Sequence, residues 1–103
     1  MDEYGDQDNQ APHTGRTIQM VSDDTGKEYV FRWPNNGHIG RYSREAMGGN
    51  VVKASRNMVL ALVLQPPKED LVAQFEDKPG LPVALANEIN KRTGLNEEFT
   101  AKN

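Results

Sequence analysis

The chain contains no cysteine among its 103 residues. Disulfide frameworks, thiolate nucleophiles and cysteine-ligated zinc or iron–sulfur sites are therefore excluded. Two histidines are present, His13 and His38, and neither has carboxylates at ligand spacing. We predict no metal site, because a metal needs several such ligands brought together.

Long apolar runs are also absent. The longest covers residues 58–64, whereas a membrane span needs roughly 20 apolar residues. No basic segment followed by an apolar one opens the sequence, as it would in a secretory signal. We therefore expect a cytoplasmic protein with no membrane segment.

Recognisable catalytic patterns are missing as well. The acidic pairs at residues 69–70, 76–77 and 97–98 lie where solvated helix ends and surfaces are expected, and paired acid–base roles have no further support. Gly48 and Gly49, followed by Lys53, do not have the spacing of a phosphate-binding loop. We predict that the protein is not an enzyme and uses no cofactor.

Charge is unevenly distributed around a net value of −3. Residues 1–15 hold four acids and no base; they are too polar to bury a core, so we predict a flexible acidic arm. Residues 16–56 hold seven bases and four acids. A candidate basic face on two helices consists of Arg41, Arg44, Lys53 and Arg56. It makes nucleic-acid binding an alternative, which the acidic overall balance and the lack of a nucleic-acid motif disfavour.

Apolar periodicity predicts an α+β fold that is mostly helical. Residues 16–22 and 27–33 alternate around an Asp-Asp-Thr-Gly turn, which indicates an N-terminal β-hairpin. About four short helices follow, over residues 38–47, 50–64, 68–77 and 82–93. Gly48-Gly49 and Gly94 end two of them, and Asn50 caps the second. We predict one globular domain over residues 16–95 and a polar tail over 96–103.

The second helix is expected to be central to the core. Its predicted buried face consists of Val51, Val52, Ser55, Val59, Leu62 and Val63, and Leu60 and Leu64 widen it. Residues 58–64 are also compatible with a buried strand, since periodicity alone does not separate the two. The helix is favoured because the pattern begins at Asn50 and continues for about four turns.

The order of these signals resembles the small tail assembly chaperones of long-tailed bacteriophages and prophages. The resemblance covers roughly residues 17–95 and rests on pattern and on a few anchor positions. These are Phe31, Pro34, Pro66, Leu71, Pro79, Gly80 and Leu81.

The resemblance implies a non-structural protein of the host cytoplasm that binds the tape measure protein. It would keep this long helical client soluble while tail tube subunits polymerise around it. The family commonly makes a longer product by ribosomal frameshifting, through which the tube subunit becomes a further partner. The final Ala-Lys-Asn is compatible with a slippery codon run. Self-association is left open.

Four apolar residues are least firmly assigned to the predicted core and are therefore candidate partner-binding residues: Tyr42, Met47, Phe75 and Phe99. Aromatic and methionine side chains are frequent anchors of protein interfaces. Besides nucleic-acid binding, the sequence leaves one other alternative, a structural tail or neck component of a virion.

Overall fold

The computed structural model describes residues 15–95 and 97–102. Within them the chain has an α+β fold that combines a three-stranded antiparallel sheet with four helices. The predicted acidic arm falls almost wholly outside the described residues. The strands are β1 (Thr17–Val21), β2 (Glu28–Arg32) and β3 (Val63–Gln65). The helices are α1 (Asn36–Met47), α2 (Val51–Leu62), α3 (Lys68–Asp77) and α4 (Leu81–Thr93).

The predicted hairpin is confirmed. β1 and β2 pair in antiparallel register, with Ile18 opposite Phe31 and Met20 opposite Tyr29. These alternate side chains lie on the inner face of the sheet, as a strand repeat of two residues requires. In the turn, Gly26 has φ +75° and its amide donates to the Ser22 carbonyl. The glycine is needed there because residues with a Cβ rarely adopt positive φ.

α1 begins earlier than expected, with a cap at Asn35 that the sequence analysis did not identify. The first helix was predicted over residues 38–47, whereas α1 starts at Asn36. Asn35 accepts a hydrogen bond from the amide of His38 at 3.0 Å, and its own amide donates to His38 Nδ1 at 3.0 Å. This reciprocal capping box stabilises the start of the helix. Asn50 caps α2 as predicted, accepting from the Lys53 amide.

The end of α2 differs from the favoured prediction. The helix ends at Leu62, and Val63–Gln65 forms β3, which pairs with β2. The strand alternative for residues 58–64 is correct only for this last segment. Gln65 precedes Pro66, and a residue before proline is disfavoured in the helical region. That restriction keeps Gln65 extended, and pairing with β2 accounts for the rest of the segment.

The core lies between the inner face of the sheet and helices α2, α3 and α4. It contains Ile18, Tyr29, Phe31, Met58, Val59, Leu62, Leu71, Phe75, Leu85, Ala86 and Ile89. α4 ends as predicted: Gly94 has φ +94°, and the Leu95 amide donates to the Asn90 carbonyl at 2.9 Å. Residues 97–102 of the predicted tail form neither helix nor strand. No helix in the described part of the chain is long and apolar enough to cross a membrane.

Candidate protein-binding surface

A short, well-bonded turn joins α1 to α2. The amides of Gly48, Gly49 and Asn50 donate to the carbonyls of Arg44, Ala46 and Glu45, at 3.1, 3.0 and 3.3 Å respectively. Gly49 has φ +93°, a conformation that favours glycine. The two helices also pack against each other, and the Asn57 side-chain amide of α2 donates to the carboxylate of Glu45 on α1. The corner is therefore held in one geometry.

Three apolar side chains beside this turn are exposed. The exposed fraction is 87% for Met47, 44% for Val51 and 57% for Val52. We call these three residues the corner patch. The prediction that Val51 and Val52 belong to the core is therefore wrong, although they do continue the apolar stripe of α2. The apolar stripe of α2 begins with Val51 and Val52, one turn before the buried residues Ala54 and Ser55. The elements that bury the later part of the stripe do not cover this first turn.

The four predicted partner-binding residues have different environments. Met47 is exposed, and Phe99, in the segment that follows α4, is 85% exposed. Tyr42 is half-buried and packs against the core. Phe75 is only 3% exposed and belongs to the core. Its proposed contact with a partner is therefore corrected: the ring is covered by the protein itself.

The four cations of the predicted basic face have different environments. Arg41 forms an ion pair with Glu45, with Nε 3.6 Å from the carboxylate. The Arg56 guanidinium lies 5.7 Å from the centre of the Phe75 ring, at which distance a cation interacts favourably with an aromatic face. Arg44 and Lys53 are exposed and flank the corner patch in sequence.

A second feature is an open groove between the hairpin and α4. Its volume is about 370 Å³. The apolar part of its lining comes from Met20, Val21, Leu81, Ala84 and Leu85, and Glu88 and Arg92 add an ion pair. Across residues 15–95 and 97–102, no three His, Asp or Glu side chains group as metal ligands. The corner patch is apolar, whereas the groove combines apolar side chains with polar and charged ones.

A sequence model described as a domain of unknown function, DUF6848, matches residues 16–102. The chain belongs to the DUF6848 family. No curated protein matches the sequence. The DUF6848 chain is also similar to a solved structure of an uncharacterised protein from Bacillus stearothermophilus, with a TM-score of 0.74 and 20% identity. The alignment covers 85% of this chain and 91% of that one, and at this identity it shows a shared fold.

Sequence reasoning missed two parts of the DUF6848 surface, the valines of the corner patch and the groove beside β1. The first had a local signal, because Val51 and Val52 directly follow an N-cap and a Gly-Gly turn. Residues at that position lie in the first turn of the helix, next to a loop, where side chains are often exposed to solvent. The groove had no such signal, since β1 and α4 are far apart in sequence.

Proposed function

We propose that this protein is a tail assembly chaperone of a long-tailed bacteriophage or prophage, which binds the tape measure protein through the corner patch. The observation that carries the proposal is the exposure of Met47, Val51 and Val52 at a rigid helix corner. Exposed apolar groups clustered on a small domain indicate a site for another chain. The tail assembly role itself comes from the order of elements and anchor residues described above.

The chemistry of the surface suits an amphipathic helical client. A partner helix that packs on Val51 and Val52 would extend the apolar stripe of α2 by one turn, in the helix-in-groove manner. Lys53, which directly follows Val52 and is exposed, favours client segments that carry acidic residues next to apolar ones. Several copies along one long client would compensate for weak single contacts.

Co-expression with a tape measure protein encoded beside its gene tests the proposal. The wild-type chain should co-purify with the client and raise its soluble fraction. Val52→Glu should weaken the complex by about tenfold or more, because a carboxylate would have to be buried in the contact. This variant should still fold, since an acid in the first turn of α2 interacts favourably with the helix dipole.

Ala73→Glu is the matched control, because it adds the same charge at an exposed helical position of α3. It should leave complex formation unchanged. No co-purification with the wild-type chain, or equal loss in both variants, would reject the proposal. Recovery of the protein in purified virions by mass spectrometry would favour the structural-component alternative. Salt-sensitive binding to DNA or RNA that is lost on changing Arg44 and Lys53 would favour the nucleic-acid alternative.

A further inference from the structure

The reciprocal cap at the start of α1 depends on a histidine. His38 is the third residue of α1 and is buried, with an exposed fraction of 3%. Its Nδ1 atom accepts the hydrogen bond of the Asn35 amide at 3.0 Å, while its own amide donates to Asn35 Oδ1. In a capping box this position is usually filled by glutamate or glutamine, whose side-chain oxygen accepts the same bond. An imidazole in that place makes the cap dependent on protonation.

The bond from the Asn35 amide fixes the protonation state of the ring. A neutral imidazole has one nitrogen that donates and one that accepts, whereas both nitrogens of the cation donate. Because Nδ1 accepts, the ring of His38 is neutral and carries its proton on Nε2. A proton on Nδ1 would set one donor against another and break this half of the cap.

The charges around α1 also disfavour an imidazolium at its first turn. The start of a helix is the positive end of its dipole. Among the described elements α1 packs chiefly against α2. The titratable side chains of these two helices, besides His38, are Arg41, Tyr42, Arg44, Glu45, Lys53 and Arg56. Glu45 is the one acid in that set, and its carboxylate is already paired with Arg41 and bonded by Asn57. The two helices therefore offer a cation at His38 little compensation.

We propose that His38 is an acid-sensitive switch, which holds the start of α1 closed while its ring is neutral and releases it when the ring takes up a proton. An imidazole in an unfolded chain is protonated below about pH 6.5. Since the fold binds the neutral ring, the stability that the cap contributes is fully present above that pH and is lost as the pH falls. The groups released are the amides of His38 and Ile39, which donate to Oδ1 and to the carbonyl of Asn35. This inference is independent of the tail assembly role.

Urea unfolding of the full chain between pH 8 and pH 5 tests the switch, with His38→Gln for comparison. Glutamine keeps an acceptor at this position but does not titrate. As the pH falls from 8 to 5, the unfolding equilibrium constant of the wild type should rise by about two- to thirtyfold relative to that of His38→Gln, the effect of losing one cap bond. His13→Gln removes the other histidine of the chain. It is the matched control and should behave as the wild type does.

¹⁵N NMR of the wild type gives a measurement that needs no variant and decides the question if His38→Gln does not fold. At pH 8 the His38 ring should carry its proton on Nε2. Protection of the His38 and Ile39 amides from hydrogen exchange, corrected for the intrinsic rate at each pH, should fall as the ring is protonated. A proton on Nδ1 at pH 8, or a cap that stays protected after the ring is protonated, would overturn the inference. Equal pH dependence of stability in the wild type and in His38→Gln would overturn it as well.

Discussion

Replacing Ser55 by alanine should stabilise the protein. Ser55 lies on α2, is fully buried, and its hydroxyl has no hydrogen-bond partner among the described residues. A buried polar group without a partner costs about 1–3 kcal/mol, and alanine is the better helix former by up to about 0.7 kcal/mol. Against this, removing the oxygen leaves a void the size of a methyl group, which costs about 1 kcal/mol. The net expectation is a gain of about 1–2 kcal/mol.

Urea unfolding and thermal unfolding followed by circular dichroism measure this gain. For a domain of this size, 1 kcal/mol corresponds to a change in Tm of about 4–8 °C. Ala54→Ser is the matched control, because Ala54 is the preceding residue and is also fully buried. It should lower stability by about 1–3 kcal/mol, since it creates the group that Ser55→Ala removes. A Ser55→Ala variant less stable than the wild type would refute the reasoning and show that the hydroxyl is hydrogen-bonded in solution.

Three further predictions concern the core, the sheet and the first helix. Phe75→Ala should lower the free energy of unfolding by about 3–5 kcal/mol, whereas Met47→Ala should change it by less than about 0.5 kcal/mol, as urea titrations will show. Burial raises the pKa of Tyr29 above its ordinary value of 10.0. The stability that the neutral Tyr29 side chain contributes should therefore be fully present below about pH 10 and be lost as the pH rises above it. The decline should be smaller in Tyr29→Phe, which urea titrations from pH 8 to 11 measure. Asn35→Ala removes the cap of α1 and should cost about 0.5–2 kcal/mol in thermal unfolding.

Local chemistry explains why most elements were predictable. Alternation around the Asp23–Gly26 turn was sufficient for the hairpin, because a period of two residues and a glycine with positive φ are both local signals. Asn50 and Gly94 marked helix ends for the same reason: each acts through hydrogen bonds to its own neighbours. β3 was not chosen, because its residues continue the apolar run of α2. Only the restriction that Pro66 places on Gln65 distinguished it.

The candidate surface was predictable only in part, because exposure depends on how far neighbouring elements reach. Met47 follows the end of an apolar stripe and was identified. Val51 and Val52 lie at helical positions that face the core side of α2. Their spacing does not show whether a neighbouring element is long enough to cover them. Phe75 shows the opposite error. It was among the residues least firmly assigned to the predicted core, yet α3 packs against β3 and α4 and the ring is buried.

α2 links the two ends of the molecule, and this has a consequence for binding. Its later turns, with Met58 and Leu62, belong to the core, and it continues directly into β3 of the sheet. Its first turn carries the exposed valines at the opposite end. A partner that covers Val51 and Val52 therefore extends the core along a helix that is already fixed, and little ordering of this chain is needed on binding. Preorganised surfaces lose less entropy on association. The corner patch therefore suits the proposed repeated contacts along a client better than its small area alone would suggest.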